Sequence, residues 1–287
     1  MKRRLLSLVV AAASLLGGAA PCFASTGRIA TPDPGLEEWL RKGQVFNETL
    51  GRPDSALYYF SLVEGRYHEG MSKPDKEVCA RALLGKWVVL FSTYFDYPHA
   101  FEALLSAERI ASEAGLRMPR IDVCLAGMYQ TVADESNDTS LFSKAMSHYA
   151  KAVETAVSTR DSVTADLTFT NAVQLASSER VASDLSPLWK SYSSLPEGDA
   201  PRVRRRFNTA FYQALTAFRR GDAGEADRIM GEALAAVPDR QEFRRMKAIG
   251  HIFRGRAVLE SGSNARARDI LDEALGYATK HHMRMRG

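Results

Sequence analysis

Residues Gly221–Asp239 read GDAGEADRIMGEALAAVPD, and residues Gly262–Lys280 read GSNARARDILDEALGYATK. Setting Ala226 on Ala267 aligns Gly221 with Gly262, Met230 with Leu271, Ala233 with Ala274 and Leu234 with Leu275, 41 positions apart. A small residue, a large apolar one four later and a second small one three beyond share one face of a helix. The spacing recurs upstream as Ala56 with Phe60, as Ala100, Leu104 and Ala107, and as Ala145, Tyr149 and Ala152. A degenerate copy pairs Leu185 with Trp189. The anchor positions 56, 100, 145, 185, 226 and 267 advance by 44, 45, 40, 41 and 41 residues, a period that marks an α-solenoid.

Each period reads as two amphipathic helices, because a second apolar helical stretch precedes each anchor helix, as in VCARALLGKWVVLFSTY and FNTAFYQALTAFRR. Pro74, Pro119 and Pro201 stand where first helices begin, and Gly51, Gly221 and Gly262 stand in the turns between paired helices. Sustained two-residue alternation is absent, so no sheet is expected. The expected fold is all-α: about six antiparallel helix pairs over residues 36–281, preceded by a short linker at 25–35 and followed by a basic tail at 282–287.

The chain opens MKRRLLSLVVAAASLLGGAAPCFASTG: three basic residues, an apolar run from Leu5 to Leu16, then small residues up to Ala24. That order is a secretory signal peptide over residues 1–24, and the run is shorter than the roughly 20 residues a membrane span needs. Export to the periplasm or beyond is expected, with no transmembrane span in the mature chain. Residues 25–197 hold 17 Lys and Arg against 23 Asp and Glu; residues 198–287 hold 18 against 11. A basic C-terminal third suits an acidic partner, and export argues against nucleic acid.

Cys79 and Cys124 lie 21 residues before Ala100 and Ala145, the same position in successive repeats. Stacked repeats place equivalent sites about 8–10 Å apart, beyond the roughly 7 Å a disulfide spans. Two buried free thiols are expected. The sequence has no HExxH, no phosphate-binding glycine loop and no Gly-x-Ser-x-Gly elbow. The adjacent His281 and His282 read as a solvated tail, so neither enzymatic activity nor a metal or cofactor is expected.

The small–large–small spacing, the GDAGEA turn and the ALAAVP ending resemble the tetratricopeptide repeat. The resemblance covers about residues 36–281; Ala226, Met230, Ala233 and Pro238 fill its second-helix pattern and Gly255 its first-helix small site. The periods exceed the 34 residues of that family, and its first-helix Trp and Tyr are mostly lost. The resemblance implies a right-handed superhelix whose first helices line a concave groove for peptides, facing it with Asn208, Phe211, Leu215, Arg219, Ile252 and Arg256. With the leader, DSALYYFSLVEGRY is similar to the periplasmic sensory regions of bacterial two-component regulators. It implies a non-catalytic sensor scaffold binding a protein or peptide, acidic segments above all; an envelope assembly or cargo adaptor is the alternative.

Overall fold

The computed structural model describes residues 31–178, 184–196 and 202–280. The signal peptide, Pro201, His281–His282 and the basic tail lie outside the described residues. Within them the chain is all-α, with twelve α-helices and no strand. In chain order these are α1 (Pro34–Glu48), α2 (Pro53–Glu64), α3 (Lys73–Val89), α4 (Tyr97–Glu113), α5 (Pro119–Ser136) and α6 (Ser140–Ser158). There follow α7 (Ser162–Ala176), α8 (Ser186–Ser193), α9 (Arg202–Arg219), α10 (Ala223–Ala235), α11 (Arg244–Glu260) and α12 (Asn264–Lys280). The anchor motif falls on the even-numbered helices. Ala56, Ala100, Ala145 and Ala226 have no exposed surface and Ala267 has 1%.

The helix ends follow from local chemistry. Asp96, Asp161 and Asp222 each accept a bond from the backbone N–H three residues on, His99, Thr164 and Glu225, which satisfies an orphan donor of the first turn. Asp33 does the same for Gly35. Its cap, with Pro34 behind it, starts α1 inside the stretch expected to be linker. Gly51, Gly221 and Gly262 adopt left-handed backbone conformations, φ 58°, 85° and 83°. Phe95 stands at the same place, five residues before its anchor alanine, with φ 57° and no glycine to ease it. The Asp96 N–H then bonds back to Leu90 O at 3.0 Å, the helix-ending geometry that such a residue permits.

The chain divides into two compact units, with the boundary after Met128, inside α5. In the first, α2 packs on α1 and α3, and α3 on α4. Phe60, 1% exposed, is held at two glycines. A Cβ on Gly43 of α1 would lie 2.5 Å from its ring, and one on Gly85 of α3 2.4 Å. Only a residue without a side chain admits that approach. Cys79 and Cys124 are both buried and free.

In the second unit α7 packs on α6 and α9, and α9 to α12 pack in succession. The degenerate copy departs from the expected register. Leu185 is buried but Trp189 only partly so, while Leu188 and Tyr192 close the inner face. The short α8 packs mainly on α6 and only lightly on α7. Aromatic rings tie it in: Trp189 stacks on Tyr212 of α9 at 4.7 Å, and Tyr192 on Phe169 of α7 at 4.2 Å. Asp227 of α10, 6% exposed, joins three helices, accepting from Arg254 of α11 at 2.5 Å and from Arg266 of α12.

Burial pushes the Cys79 thiol up to about 11, and the Cys124 thiol higher still. Thiol titration at pH 8 should therefore find neither cysteine reactive in the folded protein and both reactive once denatured without reductant. Denatured protein that shows no thiol would mean a disulfide and a different repeat register.

Candidate functional site

The most unusual helix is α7. Its sequence SVTADLTFTNAVQLA holds a single charged residue, Asp166, and no polar face wide enough to keep one side in water. It is buried nearly all round, its polar side chains included: Ser162, Thr164, Asp166, Thr168, Thr170 and Asn171. The Thr168 and Thr170 hydroxyls bond back to the carbonyls of Thr164 and Asp166, at 2.6 and 2.8 Å.

Asp166 is 1% exposed and receives hydrogen bonds from two other helices. Tyr192 of α8 donates its hydroxyl to Asp166 Oδ1. Asn208 of α9 donates to the Asp166 carbonyl at 2.9 Å and lies 3.0 Å from the Tyr192 oxygen. Its own carbonyl oxygen lies 2.7 Å from the Thr170 hydroxyl, whose single proton it shares with the Asp166 carbonyl. The Arg205 guanidinium lies 4.5 Å from the centre of the Tyr192 ring and donates to Ser193 O and Leu195 O, holding the end of α8. Asp166 Oδ2 and Arg205 Nη1 are enclosed without a hydrogen-bond partner among the described residues. Burial pushes the Asp166 carboxyl up to about 6, against the Tyr192 hydrogen bond and the charges of Arg205 and Arg204. Burial, with the carboxylate beside it, also pushes the Tyr192 phenol up.

Arginines meet the C-terminal end of α7, where helix carbonyls lack internal partners. Arg219 Nη2 donates to Ala176 O at 2.7 Å, and Arg256 Nη1 donates to Ser177 O. Arg245 Nη2 donates to Asn171 Oδ1 at 2.5 Å, and burial pulls that guanidinium down to about 10.

Three of the six residues that the repeat frame turns to a groove are buried. Asn208, Phe211 and Leu215 are at most 2% exposed and pack inward: Asn208 joins the Asp166 network and Phe211 meets Phe253 edge-on at 5.2 Å. Ile252 is half-buried. Arg219 and Arg256 come together, but on the carbonyls of α7. The α9 helix is packed by α7, α10 and α11, which leaves Asn208, Phe211 and Leu215 no open face. Asp166, Tyr192 and Arg205 went unnoticed in the sequence. The signal that could have found them is the lone charge in an otherwise uncharged fifteen-residue helix. Chemically, the cluster is a packed polar core in which Asp166, Tyr192 and Asn208 are at most 1% exposed.

Two substitutions test this assignment. Replacing Arg219 and Arg256 together by alanine removes donors from α7, at about 1–3 kcal/mol for each bond to a charged group. The thermal midpoint should therefore fall, and an unchanged midpoint would show that neither arginine supports α7. Asp166 holds its proton more tightly folded than unfolded, so its contribution to stability falls as pH rises from about 4 through about 6. Above that, the buried carboxylate costs about 3 kcal/mol. Asp166→Asn should thus gain on the parent between pH 4 and 7 in chemical denaturation; parallel pH profiles would contradict the raised carboxyl.

No helix among the described residues is long and apolar enough to cross a membrane. No family model, curated protein or solved structure matches this chain.

Proposed function

We propose that this chain is an exported, non-catalytic protein-interaction scaffold, a tetratricopeptide-like array acting as the peptide- or protein-binding sensor module of an envelope signalling system. The observation that carries the reading is repetition. Five anchor alanines in one register are buried at 1% exposure or less, and each anchor helix follows a partner helix. Architectures of stacked helix pairs present extended surfaces and serve mainly in binding. Five groups whose protonation burial shifts strongly, Asp166, Tyr192, Arg245 and the two thiols, are enclosed in packing rather than converging on a cleft, which supports a non-catalytic role.

The partner is a protein or peptide with an acidic segment. Beyond the arginines that hold α7, α9 exposes Arg206, Gln213 and Arg220. These offer charge-assisted contacts that surface screening weakens at high salt. A photo-crosslinking residue at Gln213 in intact exporting cells should give a discrete adduct with an envelope protein. Arg206→Glu with Arg220→Glu should abolish it. No adduct from Gln213 or other exposed positions of α9 and α11 would refute the scaffold reading.

A further inference from the structure

The repeat frame shows where the array remains open. Phe218, Met230 and Leu234 of the α9–α10 pair correspond, 41 residues on, to Leu259, Leu271 and Leu275 of the α11–α12 pair. The first set is covered by α11. Phe218 packs edge-on against Phe253 at 5.8 Å. Met230 and Leu234, 0% and 6% exposed, close on Gly250, where a Cβ would stand 2.7 Å from Leu234 Cδ2. The second set is not: Leu259, Leu271 and Leu275 are 50%, 37% and 52% exposed. Leu271 touches Gly255 of its own pair, and beyond it no further helix follows among the described residues. The α11–α12 pair, the last among the described residues, turns leucines outward where the pair before it is covered.

The preceding interface specifies what fits. Gly250 leaves room for the two large residues, Phe253 three positions later covers Phe218, and Arg254 follows to meet Asp227 beside Gly231. In the last copy Arg268 replaces Asp227 and Asp272 replaces Gly231, and both are exposed. Arginine in that slot would face Arg268. An amide suits it better, accepting from Arg268 and donating to Asp272. We propose that this face of α12, with Leu259 of α11, docks an amphipathic helix of another protein carrying a small residue, an aromatic three positions on, and Asn or Gln directly after. The inference deepens the scaffold reading and rests on it. A second copy does not supply that helix. The pattern occurs in α1 as Gly43, Phe46 and Asn47 and in α5 as Ala126, Tyr129 and Gln130. Phe60 and Tyr59 of α2 already pack on Gly43 and Phe46, while Ala126 has no exposed surface, Tyr129 stacks on His148 and Gln130 accepts from Tyr149.

The test uses the full-length mature protein and two fluorescein-labelled peptides: residues 244–260, and the same peptide with Arg254→Gln. In fluorescence anisotropy the Gln peptide should bind about tenfold more tightly than the parent peptide. Protein carrying Arg268→Asp should reverse that preference. Leu275→Lys and Leu259→Lys, both at half-exposed positions, should each abolish binding of the Gln peptide while the thermal transition is kept. Failure of the Gln peptide to bind, or a preference indifferent to Arg268→Asp, overturns the proposal. So does a protein that sediments as a dimer and becomes a monomer on Leu275→Lys, because the occupant is then a second copy. An adduct from Gln213 in cells would leave the scaffold reading standing even if these peptides fail.

Discussion

Five alanines, Ala56, Ala100, Ala145, Ala226 and Ala267, have essentially no surface in contact with solvent. A helix can approach its neighbour closely only where the facing side chain is this small, and the gain is dispersion and apolar burial along the whole contact. The large residue four positions on then needs a recess. Glycines provide it: Gly43 and Gly85 for Phe60, Gly250 for Met230 and Leu234, Gly255 for Leu271. A branched side chain at an anchor alanine would force helices apart or side chains off their rotamers, an overpacking cost of about 1–3 kcal/mol. The turns serve the same constraint, since a left-handed residue before α2, α4, α6, α10 and α12 reverses the chain within a few residues.

A helix buried on nearly every side, as α7 is, must find partners for its polar groups inside the protein, because water cannot supply them. It does so through α8, α9 and α11. Tyr192 and Asn208 serve Asp166, Arg245 serves Asn171, and Arg219 and Arg256 serve the last carbonyls. The basic excess of the C-terminal third thereby acquires an internal cause. Part of it is spent on helix ends and on Asp227 rather than displayed to a ligand. The short α8, poor in apolar residues, holds its place through Trp189 and Tyr192 and through the Arg205 bonds to Ser193 and Leu195.

The same two features frame the functional reading. Of the residues expected on a peptide-binding strip, Asn208, Phe211 and Leu215 are buried and Arg219 and Arg256 bond to α7, which leaves the other exposed arginines of α9 and the exposed leucines of α11 and α12 as open surface. Stacked repeats bind through whichever surface their stacking leaves open, and the preceding repeat shows the pattern of a helix that would fit α12.

Helix number, helix pairing and the closeness of the contacts were legible in the sequence, because they depend on local periodicity and on residue size at fixed spacing. Ala226 and Ala267, Gly221 and Gly262, and the unpaired Cys79 and Cys124 all follow from that periodicity. Which way each first helix turns its faces was not legible. Side-chain direction advances about 100° per residue, so the face a first helix buries depends on which helices surround it, and α7, α10 and α11 enclose Asn208, Phe211 and Leu215 of α9. The polar cluster of Asp166, Tyr192 and Arg205 draws on three helices up to 39 residues apart. Its bonds, and the raised carboxyl they surround, arise only when the tertiary structure brings those helices together and removes the water between them.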